Sequence, residues 1–257
     1  MSTHPWHKKP KSYVIICLVA FLVIAEVLLS DIKGIYNVII ALVTAVGMDG
    51  ICFLFGKRKK WLADGAVITG FIIGLILSTT TSWYLVAITV IMAILSKHLI
   101  VFKKKPVFNP AAFGLLLSIL FFQTGQSWWG AFGDLPVWTI GFLLVGGYVV
   151  TNRVNKFPQV FAFLSAYFLL LLLMGFMHVG EAADAFRPPF INASMFFALF
   201  MLTDPPTSPV SNKDQVIFGV LSAIVGVVIY GFFGGLMYLF IGLLISNAYQ
   251  VVRSRKK

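Results

Sequence analysis

T-D-P-P-T-S-P, Thr203 to Pro209, closes an apolar stretch that begins at Ile191. An aspartate at the end of a hydrophobic segment, followed by three prolines, two hydroxyls and no glycine, stops a helix and keeps backbone and side chains polar at membrane depth. Irregular polar backbone persists there only where protein buries it or a cavity hydrates it, because lipid tails offer no hydrogen-bond partner. The run is either a plain helix end with a proline break, a common arrangement, or a site. Two further stretches share its character. Asp64-Gly65 opens another apolar segment, and Asn109-Pro110-Ala111-Ala112 opens a third.

Working outward, the composition sets the class. Apolar residues make up 59% of the 257 and charged residues 11%, with a mean hydropathy of +0.93, whereas soluble domains carry about 25% charge. The chain reads as an all-α integral membrane protein. Ten transmembrane spans can be drawn: 13–30, 35–56, 62–80, 83–102, 107–122, 137–150, 159–180, 191–204, 215–233 and 235–252. The sixth and eighth are short, which predicts half-helices, tilt, or helices that reach into protein-lined cavities. Tyr13 to Ser30 follows a basic leader, but no small-residue cleavage pattern follows it, so it reads as a retained helix.

The net charge of +11 is distributed in short runs between apolar segments, which is a topology signal and excludes nucleic acid as the partner. Of the 20 Lys and Arg residues, only Lys33 and Arg187 fall on one side of the ten-span arrangement, together with Asp31, Asp134, Glu181 and Asp184. The positive-inside rule then places both termini in the cytoplasm, in a multi-pass protein of the cell membrane. Ten spans with a short central linker, Gln123 to Pro136, suggest a five-plus-five organisation with halves at 13–122 and 137–252. An odd number of spans per half inverts the second half relative to the first.

Asp64, Asn109 and Asp204 map to the same membrane face in this topology. Each could simply cap its helix. Three polar helix ends at one depth, beside the open surface left by Gly65, Gly70 and Gly74, can also line a pocket whose free N–H groups attract carbonyls or anions. Glu26 and Asp49 lie inside apolar segments, where an ionisable group marks an ion or proton path or a carboxyl bonded to a neighbouring helix. His98 and His178 stand at opposite ends of their segments, and Cys17 and Cys52 have no metal or disulfide spacing. No nucleophile, phosphate-loop or metalloprotease pattern occurs. Trp61, Trp83, Trp128, Trp129 and Trp138 sit at span ends, where interfacial anchoring is the expected role.

Four ordered motifs carry a resemblance. F-M-L-T-D-P-P-T-S-P (Phe200 to Pro209), F-N-P-A-A-F-G (Phe108 to Gly114), D-G-A-V-I-T-G (Asp64 to Gly70) and G-G-Y (Gly146 to Tyr148) resemble the RnfD/NqrB family, the membrane flavoprotein component shared by Rnf electron-transport complexes and sodium-pumping NADH:quinone oxidoreductases. The similarity runs from about the second span to the tenth. It implies a ten-helix bundle similar to urea transporters and electron transfer through flavin, coupled in the full complexes to Na+ or H+ movement. It also implies a non-covalent riboflavin or FMN near Asn109 and Asp204, with Asp64 and Thr203 as neighbours. Leucine at Asn109 or Asp204 is then expected to lose flavin while the fold persists.

One departure is large. The family attaches FMN to the threonine of an S-G-A-T type motif in the outer region between the halves. Here that region reads Q-T-G-Q-S-W-W-G-A-F-G-D-L-P (Gln123 to Pro136), with Thr124 and Ser127 out of pattern. No phosphoester-linked FMN is expected on this chain. The partners implied are the lipid bilayer, other electron-transfer subunits or a flavinylated protein outside the membrane, and quinone. The reading from a different class is a urea-transporter-like channel, or a transporter of small solutes or flavin, without redox activity.

Overall fold

The computed structural model describes residues 9–56, 61–133, 135–178 and 184–255. The basic run 57–60, Lys8, Lys256, Lys257 and the acids Asp134 and Glu181, which enter the charge reading of topology, lie outside the described residues. Among those described, ten helices follow one another: α1 (Pro10–Leu29), α2 (Ile32–Phe55), α3 (Asp64–Ile76), α4 (Trp83–Leu99), α5 (Pro110–Phe122), α6 (Ile140–Val154), α7 (Phe157–Phe176), α8 (Phe190–Phe196), α9 (Asn212–Phe233) and α10 (Met237–Arg255). A two-residue hairpin, β1 (Val101–Phe102) with β2 (Lys105–Pro106), separates α4 from α5. Prolines open α1, α5 and α7 within their first two positions, where the missing N–H costs nothing. Ser211 caps α9 by accepting from Asp214 N at 3.3 Å.

Four of these helices and the α6 segment, counted from Val137, are long and apolar enough to cross a bilayer. Large apolar side chains such as Val27, Leu54, Phe55 and Phe232 point outward, as they do where lipid is the solvent. The chain is an all-α, multi-pass membrane protein. The eighth is short as expected, and α3, α4 and α5 are also below that length, whereas the sixth reaches 18 residues counted from Val137. Beyond Val150 the sixth continues through Thr151, Asn152, Arg153 and Val154, so its polar end hides its length from hydropathy.

Packing repeats between the halves. α2 packs on α4 as α7 does on α9, α4 on α5 as α9 does on α10, and α1 on α3 as α6 does on α8, while α1 meets α6 and α5 meets α10 across the middle. Glycine makes two equivalent contacts close. A Cβ on Gly114 would lie 2.6 Å from the Thr89 carbonyl, and one on Gly242 would lie 2.5 Å from the Ser222 carbonyl, so α5 and α10 approach their neighbours backbone to backbone.

The central linker departs from the sequence expectation. Trp128 and Trp129 are buried in the bundle, not placed in an interfacial belt, while Trp61, Trp83 and Trp138 stay exposed as that belt requires. The cause is the early end of α3, which frees carbonyls deep in the protein. The linker folds back to meet them: Ser127 N and Trp128 N donate to the Ile76 carbonyl at 3.1 Å each, and Trp129 Nε1 donates to the Gly74 carbonyl at 2.9 Å. Trp128 also stacks on Phe240, with centroids 5.7 Å apart. Burying two indoles offsets the cost of this re-entry, because each brings a large apolar area and one N–H that finds a partner.

Candidate functional site

The helix stop at Thr203 to Pro209 is the centre of the site. α8 passes into a π-helical turn, Phe197–Met201, and the chain then turns through Thr203 to Pro209. Pro205 and Pro206 have no N–H, so the Asp204 carbonyl is met instead by Thr207 N at 3.2 Å, Ser208 N at 3.1 Å and Ser208 Oγ at 2.7 Å. Asp204 Oδ2 accepts from Thr207 Oγ1 at 3.0 Å, and the residue stays partly exposed. Thr203 is buried and its hydroxyl donates to the Leu199 carbonyl at 2.8 Å.

The carbonyls freed by this turn are satisfied from three other helices and a linker, as backbone inside a membrane protein must be. Asn109 Nδ2 donates to Met201 O at 3.1 Å, Gln159 Nε2 to Leu202 O at 2.6 Å, Asn247 Nδ2 to Thr207 O at 3.1 Å, and the Lys156 ammonium to Pro209 O. Sequence reasoning misses Gln159, Asn247 and Lys156. Gln159 stands alone among apolar neighbours, whereas Asn247 follows Ser246 and Lys156 follows Asn155.

Asn109 is the most committed of the expected residues. It caps α5 by accepting from Ala112 N at 3.1 Å, and its own N–H donates to Asn247 Oδ1 at 2.9 Å. Asn109, Thr203 and Asp204 therefore meet in one assembly. Lys156, in the turn between α6 and α7, is buried, and burial pushes its ammonium down to about 8; Asp204 opposes that shift and Lys105 adds to it. Lys11, Lys156 and Lys97 all act electrostatically on Asp204. Asp64 is the first-turn acid of α3 and shares no hydrogen bond or ion pair with Asn109, Thr203 or Asp204 among the described residues.

Asp49 and Glu26 are not brought together. Asp49 is buried and its carboxylate is filled: Oδ1 accepts from Lys97 Nζ at 2.7 Å and contacts His98 Nε2 at 2.8 Å, and Oδ2 accepts from Trp61 Nε1 at 3.0 Å. This cluster borders a cavity of about 210 Å³ that Lys11 and Gly65 also line. Glu26 stands fifteen residues along α1 from Lys11, roughly 22 Å at helical rise, and its buried Oε2 has no partner among the described residues. No group of three or more metal-ligating side chains occurs among the described residues. In the linker, Thr124 is buried and shares a 2.8 Å hydrogen bond with Ser118.

Against this geometry, the profile of the NQR2, RnfD, RnfE family matches residues 6–135 and 135–250. The chain belongs to this family. The two matched segments meet inside the central linker, between the halves whose packing repeats. A curated relative, the D component of the ion-translocating oxidoreductase complex of Colwellia psychrerythraea strain 34H, is 30% identical over 84 residues, covering 33% of this chain and 24% of the relative. The aligned stretch thus spans about a quarter of that relative's length.

Proposed function

We propose that this chain is a membrane subunit of an ion-translocating oxidoreductase, passing electrons through a non-covalent flavin held at its basic face. The observation that carries the reading is the meeting of Asn109, Thr203 and Asp204 in one polar assembly within a chain of this family. The donor set suits an isoalloxazine edge, which offers carbonyl acceptors and a ring N–H donor. Asp204 is a partly exposed acceptor, Gln159 Oε1 is a buried acceptor without a partner among the described residues, and Lys156 and Lys97, bonded to Pro209 O and Asp49, supply positive charge. A bound flavin supplies one- and two-electron chemistry, and the protein positions it and tunes its electronics. Asn109 acts here as a positioning residue, holding the Met201 end of α8 against α5 so that Asp204 is presented. Asp64 contributes through the opening of α3 that it begins.

The basic face is the cytoplasmic one in this proposal, and the two halves are inverted repeats in a urea-transporter-like bundle. Electrons leave toward the opposite side, to quinone, to other subunits of the complex, or to a flavinylated protein outside the membrane. Any coupling to Na+ or H+ lies in the assembled complex. Visible absorption of the purified protein tests the reading, since oxidised flavin absorbs near about 450 nm. A yellow protein that loses the band in Asp204→Leu supports it. Colourless protein from flavin-replete cells overturns it in favour of a channel.

A further inference from the structure

We propose that the cavity between the ends of α1, α2, α3 and α4 at the basic face seats the phosphoryl group of an anionic phospholipid. The cavity measures about 210 Å³, enough for a phosphate. Two ammonium groups converge in it: a Cβ on Gly65 would lie 3.4 Å from Lys97 Nζ and 3.6 Å from Lys11 Nζ. Asp49 is the only carboxylate lining the cavity among the described residues, and Lys97, His98 and Trp61 already fill it. Among the described residues Lys11 makes no ion pair. Two ammonium groups brought to one point, beside a carboxylate whose oxygens are already bonded and with Asp204 acting on them only from beyond ion-pair distance, favour an anion between them. The N–H groups of Asp64 and Gly65, at the start of a 13-residue helix, face no acceptor among the described residues and add to the same field.

The rim identifies the carrier of the phosphate. Trp61 and Leu62 line the cavity and are 46% and 64% exposed, and Leu54 and Phe55 on the adjoining end of α2 are 79% and 89% exposed. An anion coming from water would meet this apolar rim at a desolvation cost, whereas a phospholipid lays its acyl chains against it and inserts its phosphate behind. Basic pockets between transmembrane helices hold anionic headgroups in this way.

The test is native mass spectrometry of the full chain released from nanodiscs containing phosphatidylglycerol and phosphatidylcholine. Lys97 is left intact, because its loss would strip Asp49 of a partner and disturb the fold. Wild type is expected to retain one phosphatidylglycerol. Lys11→Gln should weaken retention about five-fold, the effect of one lysine at an anionic surface, and Gly65→Leu, which fills the seat, should abolish it. Lys213→Gln, exposed on the same face, should retain the lipid like wild type. Displacement of the lipid by millimolar inorganic phosphate supports a phosphoryl seat. Retention of phosphate or FMN but of no phospholipid overturns the lipid assignment, and equal losses in the Lys11 and Lys213 variants overturn the site.

Discussion

Substitution at Asn109 and at Asp204 should give two different phenotypes, although the sequence alone predicts the same one for both. Asn109→Ala deletes the acceptor that caps α5 at Ala112 N and the donor that satisfies Met201 O. Loss of the cap costs about 1 kcal/mol, and Met201 O, left with only the long 3.4 Å bond from Asp204 N, loses a hydrogen bond worth about 1 kcal/mol. Together the change should destabilise the bundle by about 2 kcal/mol, since both groups sit in one well-packed junction. Asp204→Leu deletes only the acceptor for the Thr207 hydroxyl, so its structural cost is about 1 kcal/mol, while a flavin polar group left unpaired weakens binding roughly 5- to 150-fold. The assay follows thermal unfolding in detergent and flavin per folded protein on the same samples. Asn109→Ala should unfold at lower temperature, with flavin lost together with the fold; Asp204→Leu should stay folded and turn colourless. An Asn109→Ala protein as stable as wild type would refute the brace, and full flavin in folded Asp204→Leu would remove the carboxylate from the site.

Gly114→Val should lower the unfolding temperature, because its side chain meets the Thr89 carbonyl and Ala93 and forces α4 and α5 apart at about 1–3 kcal/mol; Gly47→Val, with nothing within 4 Å, is the matched control. Lys156 loses basicity on folding, from 10.5 to about 8, so between those values the unfolded chain binds the extra proton and stability should rise with pH. Lys156→Met should flatten that rise in thermal unfolding curves recorded across the interval. Cysteines introduced at Arg255 and Thr80 should react with impermeant reagents from opposite sides of the membrane, Arg255→Cys from the cytoplasm; external labelling of Arg255→Cys would reverse the topology. Protein from cells expressing a flavin transferase should show no fluorescent band on a denaturing gel, and a band lost in Thr124→Val would contradict this.

How far the sequence can be read follows from where each feature's partners lie. Helix number and class are legible because apolar run length is a local property. That Thr203 to Pro209 must be buried or hydrated is legible too, since a proline-broken helix end leaves carbonyls that lipid cannot satisfy. The donors that satisfy them are not. Asn109, Gln159 and Asn247 come from α5, α7 and α10, and nothing local distinguishes a glutamine that braces a distant turn from one that merely interrupts an apolar run. Trp128 and Trp129 mislead for the same reason. Hydropathy sees an aromatic pair at a span end, whereas the deciding fact is the early stop of α3, two helices back along the chain.

Asp49 and Asp204 show why burial alone does not assign a role to an intramembrane carboxylate. Both resemble functional acids in sequence, and both lie near the basic face. The hydrogen-bonding capacity of Asp49 is taken up by Lys97, His98 and Trp61, which joins α2 to α4 and to the segment before α3. Taking up a cation there means displacing an ammonium already 2.7 Å away, and the newcomer must replace that attraction in full before it gains anything. Asp204 accepts from one threonine hydroxyl, sits partly exposed, and feels the charge of three lysines that make no ion pair with it among the described residues. A carboxylate held that way keeps an acceptor for a ligand and loses little when the ligand leaves. In the flavin proposal it is this free acceptor, and not the depth in the membrane, that separates Asp204 from Asp49.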